Sequence, residues 1–178
     1  MYRRRAAEFG GFRRSHQRHE DMTMQRVVIL GRGGAGKSTF ARRLGELVGL
    51  PVIELDKHFW QPGLAPLSRE KWVEVQRKLA SQSRWIMDGD LGPYDALPVR
   101  LSTADTVLLL DFSLWLCLWR ALRRGKENWD FWWWLITWGW LERPKIRDIL
   151  AEHPNAQVHI LRSQKELDQF LSKLAPSY

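Results

Sequence analysis

The sequence predicts an α/β protein, a three-layer sandwich in which a five-stranded parallel sheet is covered by helices on both faces. Three observations predict it. Short apolar, β-branched runs alternate with longer stretches of helical period, as in parallel strands joined by crossover helices. The first apolar run leads into a glycine-rich turn and then a helix. The 178 residues, 44% apolar and 27% charged, suit one domain with a real core.

The elements follow in order. Residues 1–24 lack periodicity and read as a disordered basic tail before a domain spanning 25–178. "RVVIL" (26–30) has the continuous apolar run of a strand buried on both faces. Lys37 to Val48 reads as a helix with Phe40, Leu44, Leu47 and Val48 on one stripe and Gly49 as its stop. "LPVIEL" (50–55) is a second strand, and 56–67 a loop. Ser68 caps a helix carrying Trp72, Val75 and Leu79. "RWIMD" (84–88) is a third strand, followed by an irregular or short-helical stretch to Leu101. "DTVLLLD" (105–111) is a fourth strand, followed by a helix from Leu114 to Arg124. A tryptophan-filled helical segment, 129–141, precedes a separate helix from Pro144 to Glu152. "AQVHIL" (156–161) is the fifth strand, and Ser163 caps a last helix ending at Leu174.

Gly31 to Ser38 reads G-R-G-G-A-G-K-S and matches G-x-x-x-x-G-K-[ST] without a mismatch, between a strand and a helix as the motif requires. Backbone N–H groups of Gly31, Gly33, Gly34, Ala35 and Gly36 can turn inward on phosphates, and the helix N-terminus adds its positive dipole end. Lys37 is expected on the β- and γ-phosphates, Ser38 on Mg²⁺ and Thr39 near the α-phosphate. The loop therefore implies ATP and Mg²⁺, and leaves the class of machine open. A guanine-reading N-K-x-D is absent, and the five strands nearly exhaust the chain, so a small kinase fits better than a GTPase or ring ATPase.

Such an enzyme needs carboxylates at neighbouring strand ends, where open α/β sheets bind ligands. Asp56, Asp88 and Asp111 lie there. Asp88 is the expected holder of Mg²⁺ through water, and Asp56 the acceptor-side group that orients or deprotonates a hydroxyl, or holds magnesium water. Asp111 ends a strand resembling a Walker B strand and reads as either a metal contact or a structural carboxylate. Arg120, Arg123 and Arg124 share one helical face, and Arg143 with Arg147 forms a second i, i+4 pair beyond the aromatic segment of a lid at about 125–145. Of these, Arg120, Arg124 and Arg143 are the candidates for stabilising charge on the phosphoryl group in flight. Phe59 and Trp60 are expected beside the acceptor.

Taken together, "GRGGAGKSTFARRLGELVGLPVIELDKHFWQPG", "RWIMDGD", "ADTVLLLDFSLWLCLWRALRR", "RPKI" and "LRSQKELDQFL" resemble the adenylate-kinase-like P-loop kinases often labelled DNA topology modulation proteins. The resemblance covers about residues 25–174. It implies the nucleoside-monophosphate-kinase core, strand order 2-3-1-4-5 with a helical lid, and use of ATP with Mg²⁺. It also implies that Arg100 meets an acceptor phosphate and that Arg162, after the fifth strand, lies on the adenine side. Two departures stand out: Asp90 replaces a common asparagine after Asp88-Gly89, and the lid carries only Arg143 before its proline.

The expected reaction is phosphate transfer from ATP to a small-molecule acceptor, nucleotide or nucleoside-like. The alternatives are a sugar or hydroxy-acid kinase, and an ATP-binding regulatory module touching nucleic acid. The +8 net charge divides into +3 on the first 25 residues and +5 on the rest, too little for a dedicated DNA binder. "NWDFWWWLITWGW" (128–140) holds six of the eleven tryptophans. Lid packing or a homodimer through it ranks first, contact with a membrane second, and nucleic acid third, because no basic residue lies between Asp130 and Glu142. A single cysteine, Cys117, and no membrane-length apolar run fit a cytoplasmic protein.

Overall fold

The computed structural model describes residues 24–63, 65–125 and 129–175. The expected basic tail, except Met24, and lid residues 126–128 lie outside them. The sheet contains β1 (Arg26–Gly31), β2 (Val52–Glu54), β3 (Trp85–Asp88), β4 (Thr106–Leu110) and β5 (Gln157–Leu161). All are parallel, in the order β2-β3-β1-β4-β5. Both the five-stranded parallel sheet and its predicted order are observed.

Strand periodicity divides the core. Along β1, Val28 and Leu30 point to one face, and Val27 and Ile29 to the other. On β4, Val107 and Leu109 oppose Leu108 and Leu110 in the same way. Every one of these side chains is buried, which is why both strands read as unbroken apolar runs. The face of Val28 is covered by α2 (Leu55–Phe59), α3 (Arg69–Ala80), α4 (Leu97–Leu101) and α6 (Trp129–Ala151). The face of Ile29 is covered by α1 (Lys37–Val48), α5 (Leu114–Arg124) and α7 (Gln164–Leu174).

Helix boundaries fall where the caps put them. Ser68, Ser113 and Ser163 each accept a hydrogen bond from the backbone N–H three residues on. Gly49 ends α1 in the left-handed region. Two expectations are corrected. The loop expected at 56–67 begins with α2, anchored by buried Leu55 and Phe59. The two helices expected around Pro144 are one, α6, running through it. Proline removes the donor that the Trp140 carbonyl would receive, and Trp140 is exposed, so water can replace that donor. Buried Leu135 and Trp138 before the proline and Ile146 after it hold both halves on the sheet.

Candidate active site

The loop from Gly31 to Lys37 rises from the C-terminal end of β1. Gly34 has φ +77°, and a Cβ there would collide with the Cys117 carbonyl oxygen of α5. Gly33 faces the other way, where a Cβ would lie 2.8 Å from the rings of both Phe131 and Trp134. The two glycines thus let α5 and α6 close on opposite sides of the loop. Lys37 leans back over it, its Nζ donating to the carbonyls of Gly31 at 2.7 Å and Arg32 at 3.3 Å. These are weak substitutes for phosphate oxygens, and a cation so held is free to turn to a stronger acceptor.

Three carboxylates surround Lys37. Asp88 ends β3 and is buried, with its side chain beside that of Ser38. Burial pushes its pKa up, opposed by Ser38 and by the Lys37 charge, and its Oδ1 has no partner. Asp56, in the first turn of α2, reaches water but is crowded by protein, and desolvation raises its pKa against the pull of Lys37. Asp90 is raised too, mainly by burial, and receives hydrogen bonds from Trp138 Nε1 at 2.8 Å and the Gly92 N–H at 3.1 Å.

Among the described residues no cluster of three or more His, Cys, Asp or Glu side chains could hold a metal unaided. That suits Mg²⁺, which keeps several waters and takes one or two protein oxygens plus phosphates. The Ser38 hydroxyl beside the unpartnered, buried Asp88 Oδ1 fits such an ion.

On the α7 side a cavity of about 210 Å³ opens beside the loop, lined by Ala35, Gly36, Thr39, Arg43, Arg120 and Gln164, among others. Arg120 forms its wall. Its Nη1 donates to the Ala35 carbonyl at 3.1 Å, its Nη2 to Gln164 Oε1 at 3.2 Å, and its guanidinium lies over the Phe112 ring. Arg162 stands exposed at the start of α7, its N–H bonded to Glu166.

The structure brings Lys37, Ser38, Asp56 and Asp88 together, and Thr39 with Arg120. It places other candidates elsewhere. Phe59, expected beside the acceptor, is a core residue against Trp72 and Tyr94. Trp60, edge-to-face against it, remains partly exposed. Arg100, expected at an acceptor phosphate, is fully buried. It forks onto Asp95 at 2.5 and 2.7 Å and also donates to Gln76 and the Gly89 carbonyl. Arg143 pairs with Asp111 at 2.6 Å, giving Asp111 its structural reading. Arg124 lies over Phe131. Sequence reasoning missed Arg32, Trp138 and the bonded role of Asp90. A charged residue in a loop otherwise built of small ones was the available signal for Arg32.

Sheet order, loop and strand-end carboxylates define a P-loop kinase fold. No protein-family profile matches the chain. An adenylate kinase of Mycobacterium leprae (strain Br4923) is 37% identical over 87 residues, 46% of this chain and 42% of the relative, so the chain spans less than half of that curated protein. Among solved structures, shikimate kinase from Acinetobacter baumannii in complex with shikimate superposes with TM-score 0.64 at 20% identity, covering 85% of this chain and 91% of the other. Shikimate kinase from Bacteroides thetaiotaomicron gives 0.54 at 18% identity, covering 85% and 96%. No helix among the described residues is long and apolar enough to cross a membrane.

Proposed function

We propose that this protein is an ATP-dependent phosphotransferase acting on a small-molecule acceptor, nucleotide or nucleoside-like. It would belong with the adenylate-kinase-like P-loop kinases that its sequence resembles. The observation that carries the reading is Ser38 beside buried Asp88, with the Lys37 charge close enough to act on that carboxylate, on a loop whose backbone is shaped for phosphates.

ATP lies with its phosphates on Gly31–Thr39 and its base in the cavity walled by Arg120, with Arg162 at the rim. Mg²⁺, held by Ser38 and through water by Asp88, neutralises phosphate charge when bound. Lys37 leaves the loop carbonyls for the β- and γ-phosphates. Trp60 lines the acceptor side. Asp56 orients the acceptor and, for a hydroxyl, takes its proton as the oxygen forms its bond to the γ-phosphorus. The bond to the β,γ-bridging oxygen breaks, and its electron pair leaves with ADP. A phosphate acceptor brings no proton, and Asp56 then only positions. Arg124 and Arg143, at the two ends of the lid, are the cations nearest to hand for charge on the moving group, Arg143 by exchanging Asp111 for phosphate.

The adenylate kinase match favours a nucleotide acceptor. The shikimate-bound fold relative keeps a hydroxy acid as second reading. Phosphate transfer from labelled ATP is measured on nucleoside monophosphates, nucleosides, sugars and hydroxy acids, with wild type and Lys37→Ala. A product that depends on Lys37 is expected with a nucleotide or nucleoside. Its absence from every acceptor sinks the reading and leaves a nucleotide-gated binding module. Pairing of two copies through the exposed lid tryptophans and a cytoplasmic location belong to the same proposal. A single-copy mass in solution removes the pairing alone.

A further inference from the structure

Arg32 is the one charged side chain within the glycine-rich turn, and it is 8% exposed. Its guanidinium lies 5.5 Å from the Trp138 ring centre and against Gly139, where even a Cβ would approach Nη2 to 2.5 Å. The lid helix α6 therefore closes directly over it. Nε and Nη1 are buried and have no hydrogen-bond acceptor. A guanidinium cannot shed its charge to escape burial, so two desolvated nitrogens without acceptors are costly unless something offsets them.

The charges around it do not. Asp111 is the nearest carboxylate influence, and its Oδ2 is taken by Arg143 at 2.6 Å. Arg143 itself repels Arg32. The Cys117 thiol is buried, and its pKa is raised, so it stays neutral. The indole N–H of Trp138 points to Asp90 and, as a donor, could not serve a guanidinium in any case. Two cations share one carboxylate at the lip of a phosphate loop, under a lid.

We propose that Arg32 binds a phosphate oxyanion in the closed cleft, with Nε or Nη1, the two nitrogens left without an acceptor, as the donor. The phosphate is either the terminal phosphoryl group of the bound triphosphate or one carried by the acceptor. Arg32 supplies from the loop itself a cationic contact that the lid, with Arg143 its one arginine before Pro144, is poor in. Trp138 and Gly139 hold the guanidinium in place: the indole face stacks on it, and the missing side chain leaves room for it. The inference rests on the triphosphate reading of the loop, and does not require that transfer occurs.

The test is equilibrium binding of Mg·ATP, Mg·ADP and AMP by calorimetry. The proteins are wild type, Arg32→Met and Arg32→Lys. Losing a charged, desolvated contact should weaken its ligand by on the order of 10–100-fold in Arg32→Met, with Arg32→Lys recovering part of the loss. A larger loss for ATP than for ADP assigns the terminal phosphoryl group; a loss for AMP assigns the acceptor's phosphate. Thermal unfolding separates ligand binding from architecture. A cation unpaired in the free protein should leave the midpoint of Arg32→Met unchanged or raised. Unchanged affinity for all three nucleotides overturns the proposal. So does an equal loss for ATP and ADP with AMP unaffected, or a lowered midpoint with intact binding. If Arg32→Met does not fold, Arg32→Lys binding as wild type in every arm overturns it equally. Phosphate transfer can fail on every acceptor while Arg32-dependent binding persists, so this proposal and the kinase reading fail separately.

Discussion

On the α7 side of Lys37 the cleft wall joins Ala35, Gly36 and Thr39 of the loop to Arg43, Gln164 and Arg120, the last hydrogen-bonded to the loop's own carbonyl, and it holds no indole. On the α6 side it is indole. Trp134 presses on Gly33 and Gly92, and Trp138 ties Asp90 and stacks on Arg32. The first wall encloses an open cavity, while the second fills the space between the loop and the end of β3. The loop's backbone N–H groups are preorganised and need no motion to receive phosphates. Packed aromatic rings have to shift before anything enters beside Asp90, so entry there would make α6 the moving side and α1 the fixed one.

The largest effect that would break this contrast is at its pivot. Lys37→Ala should lower kcat for phosphate transfer by on the order of 10²–10³-fold. The unfolding midpoint should fall only modestly, because Nζ bonds two loop carbonyls and its charge offsets part of the burial of Asp56, Asp88 and Asp90. A comparable loss of stability in calorimetry would mean that Lys37 is holding the loop together.

Asp88→Asn comes next. Asp88 has its folded-state pKa raised by burial, so the folded protein keeps a proton that the unfolded chain has released. Stability from this group is therefore lost as pH rises above the unfolded value, and asparagine removes the loss. The variant should melt higher than wild type near neutral pH, with the gap closing as pH falls into the ordinary carboxylate range. Mg²⁺-dependent ATP binding should weaken about tenfold or more. In the wild type, protons should compete with Mg²⁺ at a higher pH than for an ordinary aspartate. A variant that melts lower at neutral pH would show Asp88 to be a paired structural group.

The fixed side was legible in the sequence and the moving side was not. The glycine-rich loop, the boundaries of α1 and α5 and the strand-end carboxylates follow from backbone rules acting over a few residues: glycines at special φ, serine caps, apolar strand runs. Phe59 and Arg100 defeated that reading because their burial is decided by long-range partners, Trp72 on α3 for one and Gln76 and Asp95 for the other. In α6, proline punctuation suggested a break that tertiary packing overrode. Which tryptophans face inward does follow the helical period, with Trp134 and Trp138 turned to the cleft at i, i+4 and Trp129, Trp133 and Trp140 exposed on another face, but six tryptophans in thirteen residues left no polar face to mark the outside.

Trp138→Phe sharpens the contrast from the moving side. It keeps an aromatic ring against Arg32 but removes the N–H given to Asp90, leaving that oxygen without its donor. Denaturant unfolding should show a loss of about 1–3 kcal/mol. ATP affinity should stay near wild type, and acceptor KM should change. An equal effect on both substrates would mean that the two walls are not separable.

The smallest expected effect lies on the fixed side. Arg43 pairs with Asp168 at 3.3 Å, and both side chains are about half exposed. Water screens such a pair and two mobile side chains must be ordered to make it, so Arg43→Ala should change unfolding free energy by no more than about 0.5 kcal/mol. Arg43 nevertheless lines the cavity beside Thr39 and Arg120. If that cavity receives the base of ATP, Arg43→Ala should weaken ATP severalfold while leaving the affinity for inorganic triphosphate as in the wild type, because the phosphates are held by the loop. The ratio of the two affinities is what the measurement reads. A ratio unchanged from wild type would put the base somewhere other than against α7, and the open wall would then hold phosphates alone.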